Sequence, residues 1–186
     1  TASTAVGYSA LGAQTTGGNN DAFGFDALFS LTSSSQNCAF GSYALYTNTA
    51  SNNTGMGFNV MKLTTSGGGN TAIGASALAA QTTGNNNTAV GLSALNDITT
   101  GTNNTGVGSL VLEKQTTAQY NTAVGMNAMD ATTTGGQNAA VGNNALGAHT
   151  TGVGNTAMGV GASATITTGS YSTSFGYLAA TVNTQP

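Results

Sequence analysis

Hydrophobic and polar residues follow a pattern that repeats every 17 residues along the chain. The unit reads N-T-A-Φ-G-x-x-A-L-x-x-x-T-T-G-x-x, in which Φ is apolar, and we number its positions from the asparagine. Eleven copies fit the sequence, and one step, from Asn37 to Asn53, is 16 residues instead of 17. Because a short fixed period is typical of stacked identical units, the pattern predicts a solenoid.

Short β-strands suit this unit better than helices. Seventeen residues are too few for a pair of helices, and frequent Gly, Asn and Thr disfavour helix. In an extended segment positions 2 and 4 share one face and positions 3 and 5 share the other. We expect the apolar fourth positions to point inward and to stack in one column: Phe23, Phe40, Ile73, Val90, Val124 and Phe175. The Thr-Thr-Gly segment is expected to be a second short strand or a corner.

The predicted fold class is therefore all-β, a β-solenoid or β-roll of eleven coils of about 17 residues. Stacked at the usual strand spacing, eleven coils would be about 50 Å long. Residues 1–176 form a single array, and residues 177–186 are expected to be its C-terminal tail or cap. The 16-residue step is expected to be a shortened loop, since a slip inside a strand would turn every later side chain to the other face.

Two sets of residues are expected to have structural roles. We expect the glycine at position 5 to have a positive φ or to lie where a side chain would collide with a neighbouring chain. This position is Gly7, Gly24, Gly41, Gly57, Gly74, Gly91, Gly108, Gly125, Gly142, Gly159 and Gly176. The asparagine at position 1 either forms a hydrogen-bonded ladder between coils or marks a turn. It is clearest at Asn70, Asn87, Asn104, Asn121, Asn138 and Asn155.

Charge is scarce, with two Lys or Arg and five Asp or Glu among 186 residues. Without a basic patch we expect neither nucleic acid nor an anionic membrane surface as a partner. No run approaches the ~18 apolar residues of a membrane span. The opening residue, Thr1, gives the expectation of a processed or excised fragment of a longer protein.

Groups that could do chemistry are few, so we expect no enzyme, no cofactor and no metal. His149 is the single histidine and occupies a variable position, which predicts a surface loop. Cys38 replaces the usual Thr at position 2, where a small buried thiol or an interchain contact is expected. Asp21 and Asp26 alone are too few for a calcium site. The glycines of the loose G-x-G-x-x-A motif at 159–164 belong to the repeat.

A solenoid made of one such chain is expected to be only marginally stable. It offers about two sizeable apolar side chains, while ordering each residue costs roughly 1–2 kcal/mol of backbone entropy. The small residues at position 3 would let another backbone approach closely. We therefore expect this face to be buried against other chains, in an intertwined or side-by-side homotrimer.

The segment NTAMGVGASATITTGSYSTSFG, from Asn155 to Gly176, resembles the head repeats of trimeric autotransporter adhesins. The N-T-A-V-G-x-x-A-L…T-T-G array is also similar to the repeat shafts of phage tail-fibre proteins. The resemblance covers nearly the whole chain and implies a homotrimeric parallel β-roll or β-helix that carries a receptor-binding tip or itself adheres. The unit departs from the adhesin head in its 17-residue length and in Thr, instead of Val, at position 2.

The predicted function is the structural shaft of an extracellular trimeric fibre, on a virion or a cell surface, that serves attachment. A self-assembling extracellular filament or matrix protein is the alternative, and an ice-binding solenoid with ranks of Thr is a third. We expect a spacer, because the aromatic residues look scattered and no Arg or Trp supplies an anchor. The partners expected are further copies of the chain and, through weak multivalent contact, cell-surface glycans.

Overall fold

The computed structural model of the protein describes residues 2–180. Within this range the chain is all-β, and each copy of the repeat supplies one three-residue strand at positions 2–4. The strands are β1 (Thr4–Val6), β2 (Asp21–Phe23), β3 (Cys38–Phe40), β4 (Thr54–Met56), β5 (Thr71–Ile73), β6 (Thr88–Val90), β7 (Thr105–Val107), β8 (Thr122–Val124), β9 (Ala139–Val141), β10 (Thr156–Met158) and β11 (Thr173–Phe175). They form one parallel sheet in the order β1 to β11, so the predicted β-solenoid is confirmed.

Residues 177–180, at the start of the expected tail or cap, form the same turn that follows the strand in the other coils. The rest of that segment, residues 181–186, lies outside the described residues.

Every strand pairs with the next at the same repeat position. The 16-residue step leaves this register intact, since Cys38 pairs with Thr54 and Phe40 with Met56. The missing residue falls between the buried side chains of Asn48 and Asn53, where four residues replace the usual five. The predicted shortened loop is thus confirmed.

The core is built from small strand residues and large turn residues. From coil 2 to coil 9, position 3 at the centre of the strand is buried, and so are positions 8, 9 and 12. Position 9 provides the largest buried side chains: Leu28, Leu45, Met61, Leu78, Leu95, Leu112, Met129 and Leu146. Because they fill the narrow interior from the turn side, the opposing strand has room only for Ala or Gly.

The predicted inward position of the fourth-position side chains is wrong. They do stack in one column, as the strand register shows, but the column faces outward. Phe40 is 51% exposed, Ile73 40%, Val124 38% and Phe175 62%, while Phe23 and Val90 are half-buried. The small third-position face, which the sequence suggested for contact with other chains, is instead the interior of the coil.

The core is tightly packed, as the two coils with glycine at position 3 show. In most coils positions 3 and 8 are both Ala, but Gly55 is accompanied by Val60 and Gly106 by Val111. A Cβ on Gly106 would lie 3.1 Å from Cγ1 of Val111 and would also collide with Leu95. The larger residue at position 8 therefore occupies the space that the alanine of position 3 fills elsewhere.

The turn after the strand uses left-handed backbone at residues other than glycine. Positions 7, 9 and 17 have positive φ along the array, for example 54° at Asp26 and 51° at Leu28. This conformation is unfavourable for leucine, and contacts between coils hold it. The N–H of Asp26 donates to Tyr8 O of the coil before, and the N–H of Leu28 donates to Ala44 O of the coil after.

The Thr-Thr-Gly segment forms a corner and not a second strand. Its first threonine, at position 13, has its backbone N–H and its hydroxyl bonded to one carbonyl of the next coil. The N–H of Thr65 donates to Thr82 O over 2.9 Å, and its Oγ1 donates to the same oxygen over 3.0 Å. Threonine at this position thus ties neighbouring coils together.

The glycines of position 5 follow the strands and all have positive φ, between 116° and 146°. From Gly7 to Gly159, an added Cβ would collide with the corresponding glycine of the next coil. For Gly125 the added Cβ would lie 2.5 Å from Gly142 O. The predicted positive φ is thus confirmed, whereas the collision, expected with a neighbouring chain, is with the same chain, one coil further on.

We expect Gly106→Ala to destabilise the fold by about 1–3 kcal/mol through overpacking. Val111→Ala should cost a similar amount by leaving a cavity, about 1–3 kcal/mol. The double variant reproduces the Ala/Ala pair of the other coils and should lie within about 1 kcal/mol of the wild type. Denaturant unfolding of the four proteins measures this coupling. Additive losses in the double variant would contradict the volume exchange.

Gly125→Ala and Gly176→Ala separate backbone strain from collision. Both glycines have positive φ, but an added Cβ on Gly176 meets no atom of residues 2–180 within 4 Å. We expect Gly176→Ala to cost about 1–3 kcal/mol from strain alone and Gly125→Ala to cost clearly more. Thermal unfolding provides the comparison, and equal losses would show that the stacked carbonyl is unimportant.

Candidate functional site

Buried asparagines at position 1 form a continuous ladder from Asn20 to Asn155. Each makes two kinds of contact, as Asn70 shows. Its Nδ2 donates to Gly84 O, which closes its own coil, and its Oδ1 accepts the backbone N–H of Asn87 in the next coil. The six asparagines singled out from the sequence all lie in this ladder. The side chain at position 1 therefore links its own coil and its neighbour at once.

Position 12 forms a second internal column, which the sequence did not reveal because its residue type varies. It contains the fully buried side chains of Leu31, Asn48, Thr64, Gln81, Ile98, Gln115, Thr132 and His149. Several of the polar members contact the asparagine ladder. Gln115 Nε2, for example, donates to Asn104 Oδ1 over 2.9 Å. Among residues 2–180, neither Thr64 Oγ1 nor the amide oxygen of Gln81, Oε1, has a hydrogen-bond partner.

His149 belongs to this column, so its predicted place in a surface loop is wrong. The ring is fully buried. Its Nε2 lies 3.1 Å from Nδ2 of Asn155, and its Nδ1 lies 3.5 Å from Oγ1 of Thr132 in the coil before. Burial lowers the pKa of His149, and the backbone of Gly169 offsets part of that effect. The histidine is therefore a neutral core residue in a column that holds glutamine at 81 and 115.

The remaining chemical groups are dispersed on the outer surface. Cys38 is half-buried at position 2, and burial, followed by the charge of Asp21, raises the pKa of its thiol. Such a thiol is a weak nucleophile at neutral pH. Among residues 2–180 no three His, Cys, Asp or Glu side chains come close enough to hold a metal ion. The glycines at 159 and 161 have φ of 135° and 67° and belong to the turn of their coil.

The most distinctive outer feature is apolar. We define the apolar stripe as positions 4 and 6 of all eleven coils, two adjacent outward columns that run the length of the solenoid. Position 4 is apolar in every coil. Its exposed members in the first half include Val6, Met56 and Ile73, and those in the second include Val107, Val141 and Met158. Position 6 adds large exposed side chains in alternate coils, such as Leu92 and Met126, and an exposed apolar surface of this length is typical of a contact site.

Aromatic residues concentrate on the first four coils, so their scattered distribution expected from the sequence is wrong. Tyr8 and Phe25 stack with ring centroids 5.3 Å apart, and Tyr43 meets Phe25 edge-on at 5.3 Å. Lys62 Nζ lies 5.0 Å from the centroid of the Tyr43 ring, a cation–π geometry. Residues distant in sequence meet here because the 17-residue period places them on neighbouring coils.

Comparison with protein-family models, with curated proteins and with solved structures gives no match to the chain. Within residues 2–180 no helix has the length and apolar character needed to cross a membrane. The surface chemistry described above is thus the basis for a functional conclusion.

Burial of His149 should make folding stability depend on pH. The unfolded chain takes up a proton near the ordinary histidine pKa of about 6.5, whereas the pKa of the folded chain is lower. Protonation then favours the unfolded state, so stability should fall as the pH drops below about 6.5. In His149→Gln, which introduces the residue found at 81 and 115, this loss should be smaller. Melting temperatures of the wild type and His149→Gln, measured between neutral and mildly acidic pH, test this prediction. An equal fall of melting temperature with pH in the two proteins would contradict it.

Proposed function

We propose that the chain is a structural shaft of an extracellular fibre that serves attachment, built by copies of the chain packed side by side. The observation that carries this proposal is the apolar stripe, which is exposed along the whole described array. A single copy leaves it in water, and contact with another copy would cover it.

The inner structure supports a mechanical role. The asparagine ladder and the threonine corner repeat the same hydrogen bonds from coil to coil. The repetition gives a rod of nearly constant cross-section, in which each coil contacts only the coils before and after it. The resemblance of the repeats to adhesin heads and tail-fibre shafts implies three chains, and a homotrimer is accordingly the assembly that we propose.

An end-to-end filament is the second candidate, and a concavity at the N-terminal coil favours it. Ala10, Leu11 and Gln14 line this concavity, and the first two are only partly covered core residues. Another coil of the same repeat would fit there. The ice-binding alternative is weaker, because hydroxyls of the corner threonines already donate to backbone carbonyls, as Thr99 does to Thr116 O.

Measurement of the mass of the chain in solution tests the proposal. Light scattering after size-exclusion chromatography, from micromolar to near-millimolar concentration, should give about three times the chain mass of 18.1 kDa. An open series of larger species would favour the end-to-end filament. A monomer throughout the range would contradict the side-by-side fibre.

A further inference from the structure

Position 6 of the repeat alternates between large and small side chains from coil to coil. From coil 2 to coil 10 the large residues are Phe25, Phe58, Leu92, Met126 and Val160, and the small or polar residues between them are Ser42, Ala75, Ser109 and Asn143. Each large side chain is between 43% and 55% exposed, whereas the intervening ones are only partly exposed. At the strand spacing a projecting side chain therefore recurs about every 10 Å, with a recess between each pair.

Nothing inside one chain requires this alternation. Position 6 lies on the outer surface, and the core beneath it has no two-coil period: from coil 2 to coil 9 position 9 is Leu or Met throughout, and positions 3 and 8 are Ala except at Gly55 with Val60 and Gly106 with Val111. The alternation at position 6 thus has no counterpart in the interior.

The charged residues avoid this surface. Among all eleven coils, none of the seven Asp, Glu, Lys or Arg residues occupies position 4 or 6. They lie at other positions of the unit: Asp21, Asp26, Lys62, Asp97, Glu113, Lys114 and Asp130. Depletion of charge at the centre of a patch is a property of protein interfaces.

The size of the apolar stripe suits contact with a protein of similar length. Eleven strands extend about 50 Å, and a stripe about 10 Å wide then offers roughly 500 Å². This is near the upper end of the largest patch on an ordinary monomer. It is also more than half of the about 800 Å² that each partner contributes to a stable interface.

We infer that the apolar stripe is the contact surface between two copies of this chain. The large side chains at position 6 of one copy insert beside the small ones of the other. This inference rests on the proposed side-by-side fibre and names the surface through which its copies meet. A second copy is the occupant that fits, because it carries projections and recesses at the same spacing of two coils.

Interdigitation restricts how the copies are related. Two parallel copies at equal height would place each projection opposite a projection. Neighbouring copies are therefore displaced by one coil, about 5 Å along the solenoid, and in a trimer of parallel copies two of the three contacts can have this displacement. With it, Leu92 of one copy lies beside Ser109 of the other.

Variants of position 6 test the inference without disturbing the fold. Leu92→Ser and Met126→Asn each introduce a residue that the same position holds in another coil. We expect the double variant to keep its circular-dichroism spectrum and to weaken association by about a hundredfold, measured by analytical ultracentrifugation. Leu63→Ser is the matched control, because Leu63 is 48% exposed at position 11 and lies off the stripe. It should associate like the wild type.

A variant that fills a recess distinguishes interdigitation from non-specific hydrophobic association. Ser109→Leu adds apolar surface to the stripe but blocks a recess, so we expect it to weaken association. Stronger association of this variant would overturn the inference. So would wild-type association by the double variant. In both of those results the wild type still associates, so the side-by-side fibre survives; a monomeric wild type would reject both proposals together.

Discussion

The asparagine at position 1 is the interaction on which the rest of the structure depends. Its two polar atoms act in two directions, since Nδ2 closes the coil to which it belongs and Oδ1 binds the backbone of the next one. A chain with few large apolar groups has little hydrophobic burial with which to offset the entropy of ordering. Buried amide hydrogen bonds that repeat at every coil therefore hold the backbone in one conformation, as a large hydrophobic core does in other proteins.

This ladder also determines how small the core must be. Because the amide reaches across the coil to the carbonyl at position 15, the strand and the far corner are held close together. The remaining interior accepts large side chains from positions 9 and 12, Ala or Val from position 8, and only Ala or Gly from the facing strand. The pairing of Gly55 with Val60 shows how little spare volume there is. The larger apolar residues of position 4 have no room inside and form the outer stripe.

The period and the backbone requirements of the repeat could be predicted from the sequence. Eleven glycines at one position indicated a constraint that no side chain meets, and the shortened step could only fall in a loop if later strands were to stay in phase. The direction of position 4 could not be predicted, because alternation shows which residues share a face but not which face is inside. The usual assumption that large apolar groups are buried then gave the wrong answer.

His149 shows another limit of the sequence. Position 12 tolerates Leu, Ile, Thr, Asn, Gln and His, and such variability is normally typical of a surface. Here it arises inside the coil, where a polar member finds the asparagine ladder and an apolar member meets the leucine column. The left-handed turn residues could not be predicted either, because Leu28 has no intrinsic preference for that backbone conformation. It adopts the conformation because hydrogen bonds to the neighbouring coils fix its peptide group.

The identity of successive coil faces has a consequence for how such a chain changes length. Each coil presents to the next the same donors and acceptors that it receives from the one before. Removal or duplication of a whole unit would bring matching faces together and leave no group unmatched. Length would change in increments of about 4.8 Å, while loss of a single residue can be absorbed in the loop that follows position 12, as the segment between Asn48 and Asn53 shows. Recombination between repeats of the gene would lengthen or shorten such a rod by whole coils and adjust its reach without a change of fold.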